Sequence, residues 1–280
     1  MRYTFLRYPG FRHKAVTLSY DDGVIFDRRL IEIMSAAGLK GTFNINSGMF
    51  ATKPGEGRRL MADEAMELYT ASGNEVAVHG VRHLSLTEVD PALATRDVLE
   101  DRVNLEKLLG KPVKGMAYAN GSFDDGVVEI LKTCGIVYSR TTVSTGRFDI
   151  PNDWLRLPAT CHHTDPRLME LARQFVEEPD RAYFWSHTPR LFYLWGHSYE
   201  FNDNNNWNVM EEFADYVGHR DDIWYATNME IYDYVKAYEA LQFAADGSFV
   251  YNPGRMDVCI CYMNKNYAVP GGKVVRLDQI

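Results

Sequence analysis

Short apolar runs alternate with amphipathic segments along most of the chain, and this alternation limits the folds that the chain can adopt. The apolar runs are candidates for buried strands, at residues 15–20, 41–45, 75–78, 113–118, 136–140, 155–160, 191–195 and 223–226. Strand–helix alternation repeated this often favours parallel strands joined by crossover helices. The sequence therefore predicts an α/β fold, with a distorted or incompletely closed (β/α) barrel as the first choice and a doubly wound open sheet as the second.

The segments between these runs have apolar residues three and four positions apart, which is the spacing of an amphipathic helix. The clearest of them are residues 28–37, 62–72 and 91–109. From about residue 244 onward the pattern changes to short β-rich runs separated by glycine and proline turns. We therefore predict a barrel domain over residues 1–243, with a β-rich extension at 244–280 packed on the same domain.

The composition excludes several classes of partner. The chain has 280 residues and a formal net charge of −8. An acidic chain without a run of lysine or arginine has no electrostatic footprint for nucleic acid or for an anionic membrane. No stretch approaches the roughly 20 apolar residues of a membrane span. The first residues lack the apolar core of a signal peptide, so the sequence as given predicts a cytoplasmic protein, although removal of a leader would give the same sequence.

Two acidic residues, Asp21 and Asp22, stand side by side at the end of the first candidate strand, just before Gly23. In a β/α barrel, functional residues gather at the carboxyl ends of the strands. A single aspartate could serve as a helix N-cap, but a second one adds repulsion without adding a cap. A divalent cation bound by one carboxylate would remove the conflict and leave the other carboxylate free as a base.

Histidines follow two other candidate strands. His79 and His83 are four residues apart, a spacing that places both imidazoles on one face of a helical turn, as two metal ligands require. Together with one carboxylate and open positions for water, they predict a mononuclear catalytic site for which zinc is the first choice. His197 follows a later apolar run and is either a loop histidine or the acid that protonates a leaving group.

Five motifs in chain order resemble those of the polysaccharide deacetylase family of carbohydrate esterases. They are SYDDG at 19–23, HGVRH at 79–83, AYANGSFDD at 117–125, NDWLRLP at 152–158 and YLWGH at 193–197. The resemblance extends from residue 15 to about residue 235. It implies a distorted (β/α) barrel and a metal-dependent N- or O-deacetylation of a sugar or oligosaccharide.

The resemblance also implies a role for each of the residues already singled out. Asp22, His79 and His83 would hold the metal, as Zn²⁺ or alternatively Co²⁺ or Ni²⁺. Asp21 would be the base that activates water, and His197 would protonate the leaving amine or alcohol. These assignments are predictions that the structure can test by position and by contacts.

Further residues are expected around the pocket. On the resemblance, the backbone N–H of Tyr118, or of a neighbour, would stabilise an oxyanion, while Trp154 and Leu194 would shape the pocket for the acetyl methyl group. The tryptophans Trp185, Trp195 and Trp207 are either core residues or platforms for a sugar ring. His13, His187 and His219 are expected to have no role.

The third motif departs from the family pattern. Ala117 stands where the family has an arginine that orients the catalytic aspartate, so Asp21 is expected to be held by another group or to be poorly aligned. The sequence CHHTDP at 161–166 follows a candidate strand, and it could bring His162 or His163 to the barrel mouth.

Two rival functions follow from these observations. The chain could hydrolyse another non-peptide C–N bond in a small molecule, or it could be a non-catalytic carbohydrate-binding relative that retains the metal site. The missing arginine supports the binding protein, whereas the presence of both aspartates and His197 favours the enzyme. The absence of a leader favours a soluble acetylated oligosaccharide or a small amide as the substrate. The oligomeric state is left open.

Overall fold

The structure is a computed structural model that describes residues 4–179 and 188–277. Trp185 and His187 lie outside the described residues. Eight strands form the main path of a sheet, in the order β7-β6-β5-β4-β3-β2-β9-β8, and β10 pairs with β2. The strands of this sheet are β2 (Lys14–Asp21), β3 (Gly41–Ile45), β4 (Glu75–Val78), β5 (Gly115–Ala117), β6 (Tyr138–Ser144), β7 (Leu157–Ala159), β8 (Cys161–His162), β9 (Arg190–Gly196) and β10 (Ile223–Tyr225).

All pairings in this sheet are parallel, and helices connect most of the strands. The helices are α1 (Asp27–Ala36), α2 (Ala62–Ala71), α3 (Pro91–Leu109), α4 (Asp125–Thr133), α5 (Leu168–Glu177), α6 (Ser198–Asp203), α7 (Asn208–Val217) and α8 (Asn228–Glu239). The predicted α/β fold is therefore confirmed. None of the helices in the described ranges is both long and apolar enough to cross a membrane.

The helix boundaries follow from local chemistry, as α3 illustrates. Asp90 caps its first turn by accepting hydrogen bonds from the backbone N–H groups of Ala92 and Leu93. The helix ends at Gly110, whose φ of 66° is in the left-handed region that terminates helices. The predicted segment 91–109 coincides with this helix.

The two edge strands of the sheet, β7 and β8, follow each other directly in one stretch of chain, residues 157–162. Its first half, β7, pairs with β6, and its second half, β8, pairs with β9. Thr160 lies between the two halves, and its backbone N–H donates to the carbonyl of Tyr193 over 2.9 Å. No ladder among the described residues joins β7 to β8, so the sheet curves into a distorted barrel instead of a regular closed one.

The chain after the barrel, together with β1, forms two small antiparallel sheets. One has the order β1-β13-β14, and it joins β1 (Thr4–Arg7) to β13 (Val258–Tyr262) and β14 (Lys265–Val269). The other contains β11 (Gln242–Phe243), β12 (Phe249–Tyr251) and β15 (Val274–Arg276). The predicted β-rich character is confirmed, while the division of the chain at residue 243 stays a prediction.

A half-buried glutamate ties the amino ends of the sheet to α8. Glu75 accepts hydrogen bonds from the hydroxyls of Thr42, over 2.8 Å, and Tyr138, over 2.6 Å. It also accepts one from the backbone N–H of Met229, over 2.9 Å. Burial raises the pKa of Glu75, and these hydrogen bonds only partly offset that effect.

Replacing Glu75 with alanine is expected to lower the free energy of unfolding by about 2 kcal/mol or more, because three donors lose their acceptor. Urea denaturation measures this loss as a lower midpoint at an unchanged m-value. Glu100→Ala, at a glutamate whose side chain is 44% exposed on α3, is the matched control and should leave the midpoint nearly unchanged. Equal midpoints in the two variants would contradict the role given to Glu75.

Candidate active site

The carboxyl ends of β2, β4 and β9 bring the predicted site residues together. Asp21 is the last residue of β2, while His79 and His197 directly follow β4 and β9. Oδ2 of Asp21 lies 3.8 Å from Nε2 of His79 and 3.9 Å from Nε2 of His197. Oδ1 of Asp22 lies 3.7 Å from Nε2 of His83. These five residues therefore form one cluster at the edge of the sheet where the parallel strands end.

Both carboxylate oxygens of the buried Asp21 are held by neighbours. Asn44 on β3 donates its Nδ2–H to Oδ1 over 2.8 Å, and Arg140 on β6 donates an Nη2–H to Oδ2. Arg140 is 0% exposed, and its guanidinium carbon lies 4.3 Å from the ring centre of Trp195. Burial alone would raise the pKa of Asp21, but the charge of Arg140, with His79, lowers it to about 2.

Arg140 is a residue of the candidate site that the sequence did not predict. It stands directly opposite Ala117 in the pairing of β5 with β6. The guanidinium is therefore supplied by β6, the neighbour of the strand that was expected to supply it. The alternative that Asp21 is poorly aligned is therefore wrong. A signal was present, because an arginine ends the apolar run 136–140, and a charge that is buried needs a charged partner.

Asp22 has an arginine of its own. Its Oδ1 lies 3.5 Å from Nη2 of Arg59, whose Nη1 also donates to the backbone carbonyl of Asp22. Asp22 has a φ of 85°, a conformation that residues other than glycine rarely adopt and that is often retained at functional sites. Each of the two adjacent carboxylates thus faces a different guanidinium, which reduces the repulsion between them.

The group formed by Asp22, His79 and His83 fits a divalent cation. Each residue offers one ligand atom, and these atoms lie within 4.8 Å of one another. Nδ1 of His79 lies 2.9 Å from the carbonyl oxygen of Ala117, which accounts for one ring nitrogen and leaves Nε2 to the group. This Nε2 is buried and has no hydrogen-bond partner among the described residues. Two imidazoles and a carboxylate are a donor set that zinc accepts.

His197 stands at the N-cap of α6 with a carboxylate on either side of its ring. Its Nε2 faces Asp21, and its Nδ1 lies 3.5 Å from Oε1 of Glu200. Burial would lower the pKa of His197, but Glu200 and Asp21 outweigh this effect and raise it. The raised pKa favours the protonated imidazole, which is the form that a general acid needs.

His162 and His163 lie beside this cluster. The ring of His162 stands edge-on to Trp195, with the ring centres 4.4 Å apart, and 6.3 Å from the ring of His197. His163 is buried, and Nε2 of each histidine lies near Oε2 of Glu200. Burial lowers the pKa of both imidazoles, that of His162 to about 4. A substrate-binding role for these two histidines and for Trp195 stays a prediction.

Tyr118 does not have the role that was expected of it. Its backbone N–H donates to the carbonyl of Arg140 over 3.0 Å, and its hydroxyl donates to the carbonyl of Leu155 over 2.7 Å. The prediction that this N–H stabilises an oxyanion is wrong, because the donor is already used within the sheet. A neighbouring amide in that role stays a prediction.

The predictions for the two residues expected to shape the acetyl pocket have different outcomes. Leu194 is 0% exposed inside the main core, so the prediction that it contacts a ligand is wrong. Trp154 is 6% exposed and stands edge-on to Tyr232 of α8, with the ring centres 5.1 Å apart. Its place in a substrate pocket stays a prediction.

Comparison with known proteins confirms the family resemblance read from the motifs. Residues 9–139 match the family model described as polysaccharide deacetylase. A comparison with curated proteins found no match.

Several solved structures are similar to this chain. A polysaccharide deacetylase from Mycobacterium smegmatis has a TM-score of 0.58 and 16% identity, over 85% of this chain and 96% of that chain. A mutant with restored activity, made from a Bacillus anthracis pseudoenzyme of carbohydrate esterase family 4, has a TM-score of 0.51 and 14% identity. The match covers 81% of this chain and 69% of that chain. The Streptococcus pyogenes deacetylase PplD, bound to acetate, has a TM-score of 0.45 and 23% identity, over 50% of this chain and 62% of that chain. The match thus spans less than two thirds of the PplD chain. For the other two structures, whose TM-scores exceed 0.5, identities this low show the fold alone.

Replacing Arg140 with glutamine is expected to raise the pKa of Asp21 above its ordinary value of 3.8, because burial then outweighs the remaining partners. Carbon NMR of the aspartate carboxyl groups measures this pKa. The control is Arg147→Gln, at an arginine that is 74% exposed and pairs with Asp149, and it should leave the pKa of Asp21 unchanged. If the pKa stayed near 2 in the Arg140 variant, the buried guanidinium would not be its cause.

Proposed function

We propose that this chain, whose residues 9–139 match the polysaccharide deacetylase family model, is a metal-dependent hydrolase that removes acetyl groups from an N- or O-acetylated sugar or oligosaccharide. The proposal rests above all on the position of Asp21. One oxygen of this ionised carboxylate lies 3.8 Å from His79, a candidate metal ligand, and 3.9 Å from His197, a candidate acid. Metal-dependent hydrolysis of an amide or ester uses a base, an acid and a Lewis acid placed this close together.

Asp22, His79 and His83 would hold the metal, with Zn²⁺ as the first choice and Co²⁺ or Ni²⁺ as alternatives. Bound there, the cation would act as a Lewis acid toward water and the acetyl carbonyl. Two observations support this assignment: the carboxylate of Asp22, and the Nε2 of His79, for which the described part of the chain offers no hydrogen-bond partner.

Asp21 accepts the proton of the attacking water at Oδ2. With a pKa of about 2 it is a weak base, but it is ionised throughout the neutral range, and a weak base suffices where a cation acidifies the water. The hydrogen bonds from Asn44 and Arg140 fix the plane of the carboxylate, so the remaining lone pairs keep one direction.

His197 donates the proton on Nε2 to the leaving nitrogen or oxygen as its bond to the acetyl carbon breaks. Glu200, at Nδ1, favours the protonated imidazole and orients the ring. The hydroxyl group of water ends on the acetyl carbon, so the products are acetate and the free amine or alcohol.

Two alternatives use the same cluster. Hydrolysis of another non-peptide C–N bond in a small molecule would need the same base and acid, and only the substrate would differ. A non-catalytic carbohydrate-binding protein is the other alternative, and one solved structure of similar fold is that of a pseudoenzyme whose mutant has restored activity.

The first measurement is acetate release from a panel of acetylated sugars and oligosaccharides, with the protein stripped of metal and then reloaded with zinc. Zinc-dependent release supports the deacetylase, and no release from zinc-loaded protein favours the alternatives.

Asp21→Asn is expected to reduce the rate of acetate release by about 10²–10⁴-fold, because the amide cannot accept the proton of water. Zinc content should stay at the wild-type level, since Asp21 is outside the metal-binding group. Acetate assays and elemental analysis measure the two properties. Asp149→Asn, at an aspartate that is 60% exposed, should retain full activity. Wild-type activity in the Asp21 variant would rule out its role as the base.

Glu200→Gln is expected to shift the alkaline limb of the pH profile of kcat toward lower pH. Activity falls as pH rises through the pKa of the acid, and Glu200 is one of the groups that raise the pKa of His197. Glu211→Gln, at a glutamate that is 49% exposed on α7, should leave the limb in place. An unmoved limb in the Glu200 variant would mean that His197 is not the acid or that Glu200 does not tune it.

A further inference from the structure

A second group of metal-ligating side chains lies next to the candidate active site. Nε2 of His162 is 3.3 Å and Nε2 of His163 is 2.8 Å from the same oxygen, Oε2 of Glu200. One ligand atom from each residue falls within 4.8 Å of the others. The reaction proposed above uses the other carboxylate oxygen of Glu200, Oε1, so it leaves this group unexplained.

The surrounding residues hold His163 firmly in this position. Its ring is stacked against Phe201, with the ring centres 4.0 Å apart, and against Tyr20, at 5.8 Å. Its backbone N–H donates to the carbonyl of Trp195 over 2.9 Å. A Cβ atom at Gly196 would come within 2.1 Å of Nδ1 of the imidazole. The ring therefore fits only because residue 196 has no side chain.

The two groups approach each other closely without the geometry of a well-formed hydrogen bond. Nε2 of His163 and Oε2 of Glu200 are buried and 2.8 Å apart, yet neither has a hydrogen-bond partner in the described parts of the chain. At this separation a hydrogen bond is lost only when the N–H direction misses the oxygen. Two buried ligand atoms that are close together without being bonded to each other would both be satisfied by a shared cation.

His162 has the supporting contact that a ligating histidine usually has. Its Nδ1 lies 2.7 Å from Oγ1 of Thr164, a contact that orients the ring and leaves Nε2 toward Glu200. The side chains of His162 and Glu200 are 18% and 25% exposed, while that of His163 is 2% exposed. A cation could thus enter from solvent past the first two residues and reach the third.

We propose that His162, His163 and Glu200 form a second divalent-cation site, of a donor set suited to Zn²⁺. Two imidazole nitrogens and one carboxylate oxygen leave a fourth position for water. The cation would join the end of β8 to α6, while Oε1 of Glu200 still faces His197. This site would therefore fix the position of the proposed acid without taking part in the reaction, and it does not depend on the proposed function.

Counting bound zinc tests the proposal without an activity assay. The chelator-stripped full chain is dialysed to equilibrium against Zn²⁺ at sub-micromolar free concentration, and bound zinc is measured by mass spectrometry. The wild type is expected to hold two equivalents, and His83→Ala and His162→Gln one each. The double variant should hold none. His219→Asn, at an exposed histidine outside both groups, is the control and should hold two.

Glu200→Gln removes the same site through a different residue and should also leave one equivalent, so the test does not depend on one variant. Circular dichroism checks that each variant is folded. One equivalent in the wild type that His83→Ala removes and His162→Gln leaves would overturn the second site. One equivalent with the opposite pattern would support it while contradicting the metal site of the proposed function.

Discussion

The buried ion pair between Asp21 and Arg140 is the contact on which the arrangement of the site depends. It joins the carboxyl end of β2, which pairs with β3 and β9, to β6 on another part of the sheet. Neither charge is solvated, so removing one partner would leave the other buried and unpaired, at a cost of about 3–5 kcal/mol. The same pair keeps Asp21 ionised and gives its carboxylate one orientation, so the demands of stability and of the proposed chemistry coincide.

Functional residues of a β/α barrel gather at the carboxyl ends of its strands, and this rule predicted which residues form the cluster. It did not predict how the charges of the cluster are balanced. Alternating runs located the strands, and parallel strands end at one edge, so Asp21, His79 and His197 could be placed together from the sequence alone. Arg140 could not, because a pattern of apolar runs does not tell which strand supplies a buried cation. An arginine opposite Ala117 can hold Asp21 as well as an arginine at position 117 itself. Only the pairing of β5 with β6 shows that Arg140 stands there.

Other predictions failed because the sequence does not show which backbone and side-chain groups are already in use. Tyr118 lies near the site, but its N–H is committed to the carbonyl of Arg140. Leu194 lies on the strand that leads to His197, but its side chain faces the core. Glu200 was overlooked for the reverse reason: an acidic residue in the first turn of a helix is common, and only the three imidazoles around it reveal its importance.

The pairing of β1 with β13 has a consequence for how the molecule assembles. Thr4 pairs with Tyr262, so the contact spans nearly the whole chain. During synthesis the strands from β2 to β9 can add to the sheet as they leave the ribosome, whereas β1 must wait with an open edge until β13 has been made. Contacts so distant in sequence form late and slowly. β13 therefore covers an edge that β1 leaves open, and a chain truncated before β13 would have complete barrel strands but an unpaired first strand that is a site for aggregation.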